Sequence, residues 1–147
     1  AGEGSSLSVR ESSMQSSQTG LVVGKGGSAR LFGVTADKNN VGMAVAGKVS
    51  SLVVSDCSAS SNKQAGVTCM EGASASLSGV TADNNEFGMA VVRKGSWLVA
   101  QSSSARGNSL TNAIERSGGR ILCLSSEPPC DLGSQRVEYV DGVGRPK

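Results

Sequence analysis

Apolar residues alternate with small or polar ones over short stretches of the chain. In one representative stretch the apolar positions are Ala29, Leu31, Val34, Ala36, Met43 and Val45. Such short runs, bounded by Gly, Asn, Asp or Lys, are typical of short strands joined by turns. The spacing of an amphipathic helix is not sustained, and the abundance of Ser, Gly and Thr opposes helix formation. The pattern therefore predicts an all-β chain.

The same pattern recurs at a fixed distance. Residues 33–45 (GVTADKNNVGMAV) and 79–91 (GVTADNNEFGMAV) share ten identities in thirteen positions at an offset of 46. A weaker copy at 56–69 (DCSASSNKQAGVTC) lies midway, so the predicted period is 23 residues. One step back from Asn39 reaches Ser16, and two steps forward from Asn85 reach Asp131. We expect about six coils, each pairing in parallel with the next at about 4.8 Å.

The repeated L-x-G-V-x-A-x-x-N-x-x-G-M-x-V pattern resembles the right-handed parallel β-helix of the pectate-lyase-like superfamily, over about residues 7–133. The resemblance implies an all-β fold, a β-solenoid, in a single domain over residues 1–147. We divide that domain into an N-terminal extension (1–6), the coils (7–133) and a C-terminal cap or tail (134–147). The cap would use Val137, Tyr139 and Val140. The pattern is specific for architecture and unspecific for activity.

Four asparagines recur at one position of the period, and they are Asn39, Asn62, Asn85 and Asn108. This column resembles the internal asparagine ladder of the superfamily. Asn tolerates the left-handed backbone of a tight turn, so we expect that conformation at these residues. We also expect their amides to be buried and bonded to turn backbone or to one another. An amide row that binds sugar hydroxyls is the alternative interpretation.

Four cysteines are compatible with disulfides, and hence with an extracellular, secreted location or an organelle lumen. Cys57 and Cys69 fall in core columns, where buried free thiols and a bridge across the coil are both open interpretations. Cys123 and Cys130 flank LSSEPP, in which two prolines end the repeat. We predict a disulfide between this second pair. No metal site is expected, because the chain has no CxxC and no His.

Composition narrows the function classes. The chain holds 26 Ser, 20 Gly and 14 Ala among 147 residues, and no His, which removes the commonest general base and every Ser–His or Cys–His pair. A net charge of +2 with 3% aromatic residues argues against a nucleic-acid partner. The lack of an apolar stretch of membrane-spanning length predicts no transmembrane segment.

The resemblance also implies what an enzyme of this kind would need. The superfamily's enzymes act on acidic polysaccharides through clustered carboxylates, with calcium and an arginine or with a histidine. Here Asp37 and Asp83 share a column but lie two coils apart, and we expect no clustered carboxylates on adjacent coils. We therefore predict no enzymatic activity, no catalytic residues and no cofactor.

Two groups of residues are candidate contact sites. The turn after the second strand of each coil carries a row of cations, interrupted by Glu71, that predicts a mildly basic edge: Lys25, Lys48, Arg93, Lys94 and Arg116. The large residues Phe32, Phe87 and Trp97 stand out from the small ones, and they are candidate partner contacts or covers for local turns.

We interpret the chain as a noncatalytic β-solenoid scaffold or interaction module that docks onto another protein in a larger assembly, or onto a surface. An acidic-polysaccharide-binding module is the alternative, since the basic edge would suit such a polymer. A remnant of a polysaccharide lyase or glycoside hydrolase ranks behind both.

Overall fold

The computed structural model describes residues 4–123, 136–140 and 143–146, and the side chains of residues 4–122. The described residues form two sheets. Sheet A has the order β1-β3-β5-β7-β9-β11, whose strands are Ser6–Arg10, Ser28–Phe32, Ser51–Ser55, Ser74–Ser78, Trp97–Gln101 and Arg120–Cys123. Sheet B has the order β13-β12-β10-β8-β6-β4-β2; from β2 upward in number its strands are Thr19–Val23, Val41–Ala46, Ala65–Met70, Phe87–Val92, Thr111–Arg116, Arg136–Val140 and Val143–Pro146.

Each coil contributes one strand to sheet A, one bridge residue to a third side and one strand to sheet B. The bridge residues pair in parallel, and they are Ser13, Thr35, Ser58, Thr81 and Ser104. The predicted all-β solenoid is thus confirmed, but with five complete coils in the described residues instead of about six. Strands β11 and β12 stack in register on β9 and β10, while residues 124–135 between them lie outside the described part.

The 23-residue period is an average of two kinds of coil. From β3 onward the strands of sheet A follow one another at 23 residues, whereas β4 to β6 is a step of 24, β6 to β8 a step of 22 and β8 to β10 a step of 24. The extra residue lies in the turn after Asn62 and after Asn108, and the turn that follows sheet B in the same coil is one residue shorter. The two kinds alternate, which explains why the strongest sequence match spans 46 residues.

Each coil turns at residues with a left-handed backbone. In the turn before sheet B that residue is not the ladder asparagine, as the sequence predicted, but the residue before it: Lys38 (φ 60°), Ser61 (56°), Asn84 (57°) and Gly107 (60°). The expectation was wrong because any exposed polar residue or glycine can occupy the bend, which leaves the asparagine free to point inward. In the first coil Ser17, and not Ser16, holds the ladder position.

The core consists of stacked columns of small and branched side chains. Leu31, Val54, Leu77 and Ala100 pair in register, as predicted, and all are buried. Alanines line the interior beside the asparagine ladder: Ala36, Ala59, Ala82 and Ala105 have no exposed surface. Small side chains keep the interior narrow, so the sheets close around it without aromatic residues. The described residues include no helix long and apolar enough to cross a membrane.

The two ends of the solenoid differ. At the C-terminal end β12 pairs in parallel with β10, and β13 turns back to pair antiparallel with β12. The outermost strand there includes Pro146, which has no N–H to offer a further strand. At the N-terminal end β1 and β2 are the edge strands, and within the described residues nothing pairs on their outer side.

Two of the four cysteines can be described. Cys57 and Cys69 are both free and buried, so the bridge across the coil that the sequence left open does not form. The predicted disulfide between Cys123 and Cys130 lies outside the residues whose side chains are described, and it stays a prediction.

Candidate functional site

The asparagine column forms a continuous ladder inside the solenoid. The backbone N–H of each ladder residue donates to the Oδ1 of the next coil's asparagine: Asn39 to Asn62 at 2.9 Å, Asn62 to Asn85 at 2.8 Å and Asn85 to Asn108 at 2.8 Å. All four side chains are buried. A sugar hydroxyl therefore cannot reach the row of amides. The amide oxygens instead accept backbone N–H groups in the turns of the neighbouring coils.

The ladder ends at a residue that the sequence analysis missed. Asn112 places its Oδ1 2.9 Å from Nδ2 of Asn108, which donates to it, and so takes the position of a further coil. Below it, Nδ2 of Asn85 donates to the Ala59 carbonyl at 3.0 Å. Nδ2 of Asn62 is buried and has no hydrogen-bond partner among the described residues, unlike Nδ2 of Asn39, Asn85 and Asn108.

A column of glycines makes room for these amides. A Cβ on Gly42 would lie 2.7 Å from the Gly66 carbonyl oxygen and 2.9 Å from Nδ2 of Asn62. A Cβ on Gly66 would lie 2.8 Å from Nδ2 of Asn85, and a Cβ on Gly88 would lie 2.7 Å from Nδ2 of Asn108. Real Cβ atoms cannot approach so closely. The glycine column is therefore required for close packing.

The carboxylates that share a column hold the neighbouring coil. Oδ1 of Asp37 accepts the Ser60 backbone N–H at 2.7 Å, and Oδ1 of Asp83 accepts the Arg106 backbone N–H at 2.7 Å. Serine hydroxyls of the same neighbouring coils donate to both carboxylates. These aspartates thus stabilise turns, two coils apart, and are not arranged around a common substrate position.

One pair of acidic residues occupies equivalent backbone positions on adjacent coils. Glu115 pairs in register with Glu138 across β10 and β12. The sequence missed this pair because the prolines at 128 and 129 interrupt the pattern between the two strands. Glu115 has no exposed surface, and its Oε1 accepts the Ile121 backbone N–H at 2.9 Å, so it supports the core and not an open catalytic site.

The two described thiols ionise less readily than an exposed thiol. Burial raises the pKa of Cys57, and it raises the pKa of Cys69 from 9.0 to about 11. Sγ of Cys69 lies 3.1 Å from the Ala73 carbonyl, to which the thiol donates. Since the thiolate is the nucleophile and the metal ligand, neither residue has the character of a reactive cysteine. Among the side chains that are described, no group of three potential metal ligands lies together.

The cations of the predicted basic edge are exposed. Lys25 lies in the turn after β2, Lys48 in the turn after β4, and Arg93 and Lys94 in the turn after β8; all four are exposed, and Arg116 ends β10. Arg93 is partly neutralised by an exposed ion pair with Glu71 at 3.0 Å. The lysines occur only in the longer turns, so the shorter turns leave gaps in the row.

The three large aromatic residues do not meet. Trp97 and Phe32 are 45% and 47% exposed, and both lie on the outer face of sheet A. Because Trp97 begins β9 and Phe32 ends β3, they lie at opposite ends of the strands. Phe87 lies on sheet B instead. A single aromatic contact site is therefore not formed.

Phe87 lines a shallow cleft on the outer face of sheet B, with a volume of about 450 Å³. Its floor is a column of small residues that includes Ala44, Thr68 and Ala90, and Met70 lies at its side. The cleft was not predicted, because it arises from stacking small side chains of different coils. Backbone groups in the middle of a sheet are already paired, so only side chains offer contacts here.

The N-terminal end offers backbone hydrogen bonds. Ser28 N–H donates to the Ser5 carbonyl and Glu11 N–H to the Phe32 carbonyl, both at 2.9 Å. Alternate residues of a parallel strand direct N–H and C=O to the same side. Ser6, Ser8 and Arg10 therefore direct theirs to the open side of β1. Sequence periodicity cannot reveal this, because it locates strands but not which side of an edge strand is unpaired.

Comparison with known families is consistent with this geometry. The family model described as a right-handed β-helix region matches residues 1–122. No curated protein and no solved structure matches the chain.

Proposed function

The chain belongs to the right-handed β-helix family, and on that basis we propose that it is a noncatalytic interaction module whose N-terminal end pairs with a strand of another polypeptide in an assembly. The observation that carries this proposal is the outer side of β1, where the backbone groups of Ser6 and Ser8 and the N–H of Arg10 have no partner among the described residues, while the Arg10 carbonyl accepts the Ser12 hydroxyl at 2.8 Å. Strand addition to such an edge gains main-chain hydrogen bonds and is a common mode of recognition.

The N-terminal edge lacks the usual protection against pairing. Natural edge strands are blunted by lysines, prolines or bulges. Strand β2 (TGLVV) contains no charged residue and no proline, and β1 contains only Arg10. Leu7, which belongs to an inward column, is 37% exposed at this end. A partner strand would cover this apolar side chain as well as the edge.

The proposal of a noncatalytic role is supported by the structural contacts of the acidic residues. Asp37 and Asp83 accept main-chain bonds, Glu115 is buried, and the sequence has no His. We also propose an extracellular or lumenal location, which now depends on the pair Cys123 and Cys130 alone.

The test is the size of the assembly that contains this chain in its native extract. A tagged wild-type chain is compared with Ser8→Pro, which removes an outward N–H, and with Ser8→Thr, which keeps it. We expect size-exclusion chromatography to place the wild type and Ser8→Thr in a larger complex and Ser8→Pro at lower mass. A wild-type chain that elutes at its own mass would refute the proposal.

A second candidate function, binding of an acidic polysaccharide, is favoured by the exposed cations of the basic edge. Such binding would weaken with salt, because exposed charges are screened over about 8 Å at physiological ionic strength. The test is retention on immobilised polygalacturonate of a variant with Lys25, Lys48 and Lys94 changed to Gln. The control changes Arg30, Lys38 and Lys63 instead. Equal retention of the two variants would contradict a role for the edge.

A further inference from the structure

We propose that the basic edge binds the surface of an anionic lipid bilayer, with the side chains of Val49 and Trp97 entering the interface between the lipid headgroups. This inference does not depend on the N-terminal strand. An acidic polysaccharide would use the same cations, but it would be bound by charge alone. A bilayer surface also takes up apolar and aromatic side chains, so the residues that lie among the cations decide between the two partners.

The longer turns of the basic edge place lysines at equivalent positions. Each is a β-turn, over 24–27, 47–50 and 93–96, in which the N–H of the last residue donates to the carbonyl of the first at 3.0, 3.1 and 3.1 Å. The second residue of all three turns is an exposed lysine: Lys25, Lys48 and Lys94. In the part of the chain that the structure describes, none of these lysines forms an ion pair. Their charges are therefore available to an anionic partner.

The third residue of these turns has a left-handed backbone. It is Gly26 (φ 75°), Val49 (62°) and Gly95 (88°) in the three turns. This position of a turn favours glycine, and a β-branched residue there is an outlier. Val49 is also 88% exposed, so its side chain gains almost no packing inside the chain that would offset the strain. A strained and exposed valine beside Lys48 indicates a contact outside the solenoid.

Trp97 places an aromatic ring beside the same edge. It follows the turn over 93–96 directly, and it is 45% exposed on the outer face of sheet A. That turn and the turn that holds Val49 lie two coils apart, about 9.6 Å along the axis. An indole ring is apolar with one polar N–H, which suits it to the headgroup region of a bilayer. Both apolar side chains therefore lie next to a lysine of the basic edge.

The charge of the basic edge is almost entirely of one sign. Of the seven acidic residues whose side chains are described, Glu71 alone lies in a turn after sheet B, and it is paired with Arg93. The others are Glu11, Asp37, Asp56, Asp83, Glu86 and Glu115. An anionic leaflet attracts clustered Lys and Arg side chains, so the charges of the edge and of such a surface are complementary.

The first experiment measures binding of the purified full chain to vesicles. Cosedimentation compares vesicles of phosphatidylcholine alone with vesicles that also contain about 30% phosphatidylserine. We expect the wild type to bind only the anionic vesicles. Changing Lys25, Lys48 and Lys94 together to Gln should weaken this binding about a hundredfold. A wild type that does not bind the anionic vesicles would overturn the inference.

Two further variants test the apolar side chains, and each should weaken vesicle binding about tenfold. Val49→Gly keeps the turn, because glycine occupies the same position at Gly95. Trp97→Ser introduces the residue found beside it in register at Ser74. The matched control is Phe32→Ser, which removes an equally exposed ring at the other end of the strands of sheet A and should bind as the wild type does. Unchanged binding of both Val49→Gly and Trp97→Ser would overturn the inference.

The second experiment uses Trp97 as a probe, because it is the one tryptophan of the chain. Its fluorescence emission should shift to shorter wavelength on anionic vesicles, where the ring leaves water, and should stay unshifted with polygalacturonate at the same concentration of negative charge. An emission spectrum that the vesicles leave unshifted would overturn the inference. If polygalacturonate were also bound in that case, the edge would be a site for polyanions and not for a bilayer.

Discussion

The ladder asparagines differ in how many bonds depend on each side chain. Asn85 accepts the Asn62 N–H and donates to the Ala59 carbonyl, whereas Asn62 accepts the Asn39 N–H but leaves its Nδ2 unpartnered. A buried polar group without a partner costs free energy that a satisfied one does not. The ladder is therefore uneven in strength, although its residues are identical.

We predict that Asn85→Ala lowers the free energy of unfolding by about 1–3 kcal/mol, because it orphans a buried donor and a buried acceptor. Asn62→Ala should cost less, since its Nδ2 gains nothing in the folded state. Urea unfolding measures both, with Asn40→Ala as a control at a turn residue outside the ladder. Equal costs for Asn85 and Asn62 would contradict this account.

The buried thiol of Cys69 makes stability depend on alkaline pH. Its pKa is raised to about 11, so the folded state holds the proton after the unfolded chain has lost it. The contribution of Cys69 is complete below about pH 9 and is lost as the pH rises towards 11. The loss amounts to about 2–3 kcal/mol over this range.

The matched variant is Cys69→Val, because valine occupies the same column at Val45 and Val91. We expect it to change stability by less than about 1.5 kcal/mol at pH 7, as other swaps of similar volume do. It should also show a smaller stability loss between pH 9 and pH 11 in urea unfolding. A wild type that loses no more stability than the variant would contradict the role assigned to burial.

At the scale of the strands, the apolar alternation predicted the core columns, because a residue that points inward in one coil has its partner pointing inward in the next. The lengths of the turns could not be predicted in the same way. Lys63 and Gln64 fill a turn that Asn40 or Glu86 fills alone in neighbouring coils. A compensating deletion after sheet B hides the difference from a search at a fixed period of 23.

The glycines at the start of the sheet B strands carry a prediction of their own. Gly42→Ala should destabilise the chain by about 1–3 kcal/mol, because the new methyl group overlaps the Gly66 carbonyl and the Asn62 amide. Gly24→Ala is the control, since its nearest neighbour would be the Ala46 carbonyl at 3.7 Å. Thermal unfolding of the two variants measures the difference. A loss at Gly24 as large as that at Gly42 would indicate a general cost of replacing glycine.

At the scale of the whole molecule, each coil contacts only its neighbours, so stability is distributed along the axis. The repeat predicted this arrangement. It could not predict the C-terminal end of sheet B, because β13 reverses direction and belongs to no repeat.

We predict a gradient of amide hydrogen exchange along the axis. In the purified chain, β1 and β2 should exchange faster than β5 to β8, because among the described residues the first coil has one neighbouring coil and a central coil has two. Exchange measured by mass spectrometry on peptides from each coil would show the gradient. Uniform protection from the first coil to the fourth would mean that the solenoid opens as one cooperative body.

The alternation of longer and shorter coils sets how such a chain can change in length. Removing or inserting 46 residues joins each coil to a neighbour of the kind it already contacts, with every turn preserved. Removing or inserting a single coil would place two coils with the longer turn before sheet B next to each other. The strands of sheet B would then be shifted by one residue relative to the strands of sheet A. Growth and shrinkage of this solenoid should therefore proceed in pairs of coils, and the near-identical segments at 33–45 and 79–91 are what one such duplication would leave behind.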